Sequence, residues 1–229
     1  MCVNYSPTQP DRIAKHFGAM ASDAPYERMA FPGYAAPIVK KRKGAKDEYA
    51  LECALACFGM VPGWSDLKMY KHTYNARSET VADKASFRNA WQRGQFCVVP
   101  ADAIYEPNYE AGRAVRWEIR HADNRPLGIA GIWDVRSDGP DGRPLLSFSM
   151  LTINADDHPL MKRFHKPGEE KRSVVMLNED DFEAWLEASP REAESFLKPY
   201  SAEKLAAAAA PEPATEGKEA PRQADLFST

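Results

Sequence analysis

The sequence predicts an α+β domain: a curled, mostly antiparallel, barrel-like β-sheet with helices flanking it. Three observations carry that expectation. Runs rich in β-branched and aromatic residues recur along the chain, at YALECALACFGMVPGW, QFCVVPADAIYEP, AVRWEIRHA, PLGIAGIWDV, LLSFSMLTIN and SVVML. Helical signals are confined to the start, one middle segment and the end. No βαβ alternation links the strands, which argues against a doubly wound parallel sheet.

The elements follow in order. TQPDRIAKHFGAM reads as a first helix, with Thr8 as a candidate cap, Pro10 near its start, and Ile13, Phe17 and Met20 on its inner face. In the strand that follows, Leu51, Cys53, Leu55 and Cys57 alternate as one buried face. That reading sets aside zinc for the Cys53–Cys57 pair, since no second ligand pair accompanies it. VADKASFRNAWQRG reads as helical. Asn178 caps DDFEAWLEA, and Ser189-Pro190 opens REAESFLKPY.

The 229 residues suit one domain and a tail. We place the domain at 1–200 and the tail at 201–229, where LAAAAAPEPATEGKEAPRQ has little to bury and reads as disordered. The formal net charge is −3, and the tail holds five acids against three bases, which leaves about −1 for the body. A uniformly basic nucleic-acid binder is thereby excluded, and any phosphate binding must be local. No run approaches the ~20 apolar residues of a membrane span. The N-terminus lacks the layout of a secretory signal. The expectation is a cytoplasmic, nucleoid-associated protein with reduced cysteines and no membrane contact.

Four stretches carry candidate chemistry. In MCVNYS, removal of Met1 leaves Cys2 with an α-amine and a thiol on neighbouring carbons, a trap for aldehydes. In YNARSET, Asn75 and Arg77 share a face of an extended segment, one an orienting amide and the other a fork for phosphate. In AIYEP, Glu106 ends an apolar strand, where desolvation raises a carboxyl pKa toward the range useful for proton transfer. The densest basic run is Lys162, Arg163, His165, Lys166, Lys171 and Arg172, with Phe164 inside it. Cations along phosphates and an aromatic beneath a base suit single-stranded nucleic acid. His165 is an acid or base near neutral pH.

Together with FGMVPGW, CVVPADAIYEP and AGIWD, in this order, these stretches resemble the SOS response-associated peptidase (SRAP) family over roughly residues 2–188. The resemblance implies binding of single-stranded DNA and a covalent thiazolidine crosslink between Cys2 and an abasic site. It also implies self-removal of Met1, an AP-lyase side activity, no cofactor and no metal. Within it, Cys2 is the nucleophile, Asn75 orients the linked sugar or Cys2, Glu106 moves protons and His165 assists ring opening. Arg77, with Lys171 or Arg172, and Arg163 in the same run, hold phosphates. Trp64 stacks on a base and Pro37 walls the groove. Two departures stand out. The family's Tyr-Glu-Trp is Tyr105-Glu106-Pro107 here, and its compact His-Asp-Arg-Met-Pro segment is expanded to HKPGEEKRSVVML, which leaves His158 as an alternative to His165.

The chain ends on QADLFST, which looks like a bacterial sliding-clamp binding peptide, with Gln223, Leu226 and Phe227 as its contacts. A monomer is expected, since one lesion needs one Cys2. Two other function classes fit parts of the pattern. They are an N-terminal-nucleophile amidohydrolase using Cys2, though Val3 stands where glutamine-dependent members usually carry Gly, and a non-catalytic single-strand binder.

Overall fold

The structure is a computed structural model that describes residues 2–20, 24–42 and 51–210, leaving aside the side chain of Asp141. Its strands are β1 (Asn4–Pro7), β2 (Ala35–Lys41), β3 (Leu51–Phe58), β4 (Asn75–Arg77), β5 (Phe96–Asn108), β6 (Val115–His121), β7 (Leu127–Arg136), β8 (Leu145–Asn154), β9 (Arg172–Val174), β10 (Met176–Leu177) and β11 (Leu205–Ala209). Its helices are α1 (Pro10–Phe17), α2 (Tyr70–Thr73), α3 (Arg88–Gln92), α4 (Phe182–Glu187) and α5 (Pro190–Ala193).

The sheet is mixed and closes on itself. Strands β7, β8, β3, β2 and β5 pair in that order, and β5 pairs back onto β7. Most pairings are antiparallel, but β3 and β4 both run parallel to β8. The expected curled α+β core is therefore present, with a parallel component that the short spacing of the runs did not announce.

Strand β5 explains where the site lies. Its first half pairs with β7 over Phe96–Ala101, inside the barrel wall. Its second half leaves the barrel and pairs with β6 over Ile104–Asn108 and with β1. Both faces of the first half are covered. Cys97, Val99 and Ala101 join the core that holds Cys2, Tyr5, Ile38 and Phe148, while Phe96 and Val98 join the core under the helices with Trp91 and Trp185. Burial on both faces accounts for the unbroken apolar run FCVV. Each such large side chain contributes about 1.5–3 kcal/mol on burial.

Several expectations need correcting. Helix α1 begins after Gln9 and stops at Gly18, which takes a left-handed φ of 64°. Thr8 is instead buried at the exit of β1, its N–H donating to the Pro100 carbonyl. Met20, past the helix end, is exposed. Along β3 only Ala56–Phe58 are buried, and Leu51, Cys53 and Leu55 are half-buried. The reason is pairing: β8 reaches β3 only at Cys57 and Phe58. The helical segment after YNARSET shrinks to Arg88–Gln92, preceded by hydrogen-bonded turns. Asn178 does precede its helix, but its amide donates to the Asp181 carboxylate and makes no cap. Ser189 and Glu192 form a reciprocal capping box.

The largest correction concerns the domain end. Leu205–Ala209 pair with β6 as an edge strand, from Leu205 opposite His121 to Ala209 opposite Trp117. The described fold therefore continues through Ala210, and the alanine run that reads as tail is a strand. An alanine run has little to bury, but it offers backbone hydrogen bonds to an open edge, and β6 supplies one. Gln223, Leu226 and Phe227 lie outside the described residues. None of the described helices is long and apolar enough to cross a membrane.

Candidate active site

Cys2 is drawn into the structure by its own neighbours. Asn4–Pro7 add to β5 as β1, with Asn4 opposite Tyr105, and Cys2 packs into the barrel core with 1% of its surface exposed. Its backbone is fixed from across the fold: Asn75 Nδ2, on β4, donates to the Cys2 carbonyl at 2.8 Å. Asn75 is buried, and among the described residues its Oδ1 has no hydrogen-bond partner. Arg77, two residues on, points to the surface and pairs with Glu170 at 2.8 Å.

The Cys2 thiol donates weakly to the Asn4 carbonyl at 3.4 Å. Burial, reinforced by the Glu106 carboxyl, pushes its pKa well above the ordinary thiol range. The thiol is therefore held protonated.

Glu106 sits on the outer half of β5, 3% exposed. Burial pushes its pKa up to about 7. Facing it is His165, whose Nδ1 lies 3.5 Å from Glu106 Oε2. His165 Nε2 is 2.9 Å from the Arg172 carbonyl, which can only accept, so Nε2 carries the proton and Nδ1 is turned to the carboxyl. Burial lowers the His165 pKa. Both groups are thus driven toward their neutral forms, and one proton near neutral pH belongs to the pair.

The loop between β8 and β9 holds His165 rigidly. The His165 N–H donates to the Pro107 carbonyl at 2.9 Å, and Lys171 Nζ donates to the His165 carbonyl at 3.0 Å. The φ of His165 is 63°, in the left-handed region that a non-glycine residue seldom occupies. Pro107 therefore supports the site through its carbonyl, an acceptor that any residue supplies.

Glu106 and His165 line a cleft of about 630 Å³ with Val3, Asn4, Tyr105, Arg113 and Arg116. The structure thus brings Cys2, Asn75, Glu106 and His165 to one place. His158 is elsewhere in function: its Nδ1 accepts the N–H groups of Leu160 and Met161, and its Nε2 binds the Tyr200 carbonyl, so both nitrogens hold backbone.

The cations expected at phosphates are mostly engaged. Arg172 is 2% exposed and bound to Glu79, Glu170 and the Thr152 carbonyl. A buried guanidinium whose Nη1 and Nη2 are both committed to protein oxygens is a structural clamp, so its expected phosphate contact is withdrawn. Lys171 caps the carbonyls of His165 and Lys166. Arg163 makes a bidentate pair with Glu110 and lies over the Trp117 ring. Phe164 is fully buried against Trp117 and offers no face to a base. Pro37 is buried in mid-β2 opposite Leu55, outside the lining of the cleft. Trp64 is 60% exposed beyond β3, outside the cleft lining. The sequence reading missed Asn4, Arg113 and Arg116. The signal for Arg116 is the register that sets it opposite Pro107.

The arrangement defines a site built around the chain's second residue, with a proton-sharing carboxyl–imidazole pair beside it. The profile of the SOS response associated peptidase (SRAP) family matches residues 1–212, and the chain belongs to that family. It is 28% identical over 155 residues to the abasic site processing protein YoqW of Bacillus subtilis, covering 66% of this chain and 65% of that one. It is 27% identical over 167 residues to the abasic site processing protein HMCES of Gallus gallus, covering 62% and 48%. The chain thus spans somewhat under two thirds of the first of these relatives and about half of the second. A crystal structure of a protein from Bordetella bronchiseptica superposes with a TM-score of 0.82 at 38% identity, covering 91% of this chain and 99% of that one. A Bacteroides thetaiotaomicron structure, at 23% identity and a TM-score of 0.77, shares the fold.

Proposed function

We propose that this protein processes abasic sites in single-stranded DNA by capturing them covalently through Cys2. The observation that carries the reading is the backbone of Cys2 held by buried Asn75 beside the Glu106–His165 pair. Loss of Met1 gives the Cys2 α-amine, whose reference pKa of ~7.7–8.0 leaves a useful fraction unprotonated. That amine attacks the aldehyde of the ring-opened sugar, and water leaves to give the imine. Neutral Glu106 protonates the departing hydroxyl and takes back the proton that the nitrogen releases, so that both amine protons leave with the water. The Cys2 thiol then adds across the C=N bond: a C–S bond forms, and the thiol proton passes to nitrogen. Because burial keeps the thiol protonated, the amine reacts first and the thiol second. His165 Nδ1 takes the proton from Glu106 and returns it during sugar ring opening. The same imine accounts for a lyase side activity, and Met1 removal by the site itself for the peptidase of the family name. Trp64 stacks on a base near the lesion. The protein acts as a monomer.

The test is the intact mass of the protein before and after incubation with single-stranded DNA carrying one abasic site. Loss of Met1 and a covalent adduct, both tied to Cys2 by Cys2→Ala, is the expected result. Met1 loss without an adduct would overturn it in favour of an amidohydrolase, checked by ammonia release from glutamine. An unchanged protected complex in Cys2→Ala would point to a non-catalytic binder.

We further propose that Gln223, Leu226 and Phe227 recruit the protein to the sliding clamp. Clamp capture that survives joint Leu226→Ala and Phe227→Ala substitution would sink this.

A further inference from the structure

Most arginines near the site and around the sheet are already paired. Arg12, Arg77, Arg93, Arg120, Arg125, Arg136, Arg163 and Arg172 each face a carboxylate within ion-pair distance. Arg113 and Arg116, the two that line the cleft with Glu106 and His165, face none among the described residues. A cation already paired must give up its carboxylate before it can bind a phosphate. One held by neutral partners gives up nothing.

Arg116 is held in that way. Its guanidinium lies over the Tyr105 ring, 3.4 Å from the centroid. Nη1 donates to the Ala210 carbonyl at 3.1 Å, and Nη2 is 3.6 Å from the Met29 sulfur. The Ala210 N–H returns a bond to the Arg116 carbonyl at 2.9 Å. The C-terminal strand β11 thus fixes the position of Arg116, and Ala209 completes the same wall of the cleft. Arg113, on the hairpin between β5 and β6, is exposed at the mouth.

We propose that Arg113 and Arg116 form the phosphate-binding jaw of the cleft, and that β11 is the element that positions Arg116 in it. The ligand is the backbone phosphate of a single DNA strand next to the captured sugar, so the proposal rests on the function proposed above. The net charge of the body, close to zero, fits a local cationic site of this kind.

The test is equilibrium binding of single-stranded DNA containing a tetrahydrofuran abasic analogue, which has no aldehyde, across a range of salt. The full chain is compared with Arg113→Gln, Arg116→Gln, Arg116→Lys and Ala210→Pro. Taking one cation away from a phosphate should lower the slope of log affinity against log salt by ~0.7. Affinity at low salt should fall roughly 5–10-fold for either glutamine variant. Arg116→Lys should keep most of the slope. Ala210→Pro, which deletes the N–H that bonds the Arg116 carbonyl, should lower affinity in the same direction as Arg116→Gln, and unchanged affinity there would overturn the positioning role of β11. Unchanged slopes in both glutamine variants, with the parent binding normally, would overturn the jaw and leave the capture chemistry standing. Failure of the parent itself to bind would overturn both. If Arg116→Gln does not fold, Arg113→Gln, on an exposed hairpin, decides the matter alone.

Discussion

Two histidines seven residues apart in one loop are built for different work. His158 spends both ring nitrogens on backbone groups: Leu160 and Met161 donate to Nδ1, and Nε2 binds the Tyr200 carbonyl. Its tautomer is locked and its ring staples the loop to the segment before β11. His165 spends one nitrogen on the Arg172 carbonyl and turns the other to a buried carboxyl. A histidine whose nitrogens both hold backbone cannot carry a proton to a substrate, and one that faces a titrating partner can. Burial alone does not separate them, since both are buried.

The comparison breaks or sharpens under substitution. The largest effect is expected from His165→Ala, which should slow crosslink formation by about 10²–10⁴-fold, as loss of a proton-transfer group does, while thermal unfolding moves little. Single-turnover crosslinking on an abasic oligonucleotide measures it. His158→Ala should do the opposite. The rate in the folded protein is retained, and chemical denaturation shows a loss of about 2–3 kcal/mol from three abandoned hydrogen bonds and a cavity. Equal loss of rate in both variants would erase the distinction.

Glu106→Gln comes next and has a defined sign. The folded carboxyl holds its proton to about pH 7, whereas an unfolded one releases it near ~4.3. Wild-type stability should therefore fall as pH rises between those values. Glu106→Gln, which cannot ionise, should be more stable than wild type at pH 8 by about 3–4 kcal/mol, and nearly equal to it at pH 4. A pH-independent difference would show that Glu106 is not a buried, proton-holding acid. Arg172→Ala should cost about 2–4 kcal/mol, because it strips a buried clamp from Glu79, Glu170 and Thr152 and loosens the carbonyl that pins His165. The smallest effect is expected from Arg163→Ala. Its pair with Glu110 is at the surface, and denaturant unfolding should show a cost below about 1 kcal/mol.

Strand β3 and the strands from residue 96 onward, up to β10, are legible in the sequence, because each lies in a run of apolar or β-branched residues with turn signals nearby. Strands β1, β2, β4 and β11 are not. NYSP, NAR and LAAAA carry no strand signature and form because an open edge of β5, β8 or β6 supplies their hydrogen bonds. The parallel pairing of β3 with β8 joins segments about ninety residues apart, which no local pattern encodes.

The site divides in the same way. The sequence by itself determined the chemistry on offer. It set a cysteine at position 2, an amide at Asn75, a carboxyl at the end of an apolar strand and a histidine in a basic run. Those follow from residue type and local order. Only the tertiary structure set His165 against Glu106 and His158 against backbone groups, buried Arg172 between carboxylates, and brought Arg113 and Arg116 to the cleft. The reason is physical. What a polar side chain can do depends on which partners already occupy its hydrogen-bonding groups. Here those partners include Glu106 for His165, Glu79 for Arg172 and Ala210 for Arg116, each brought into place by long-range packing.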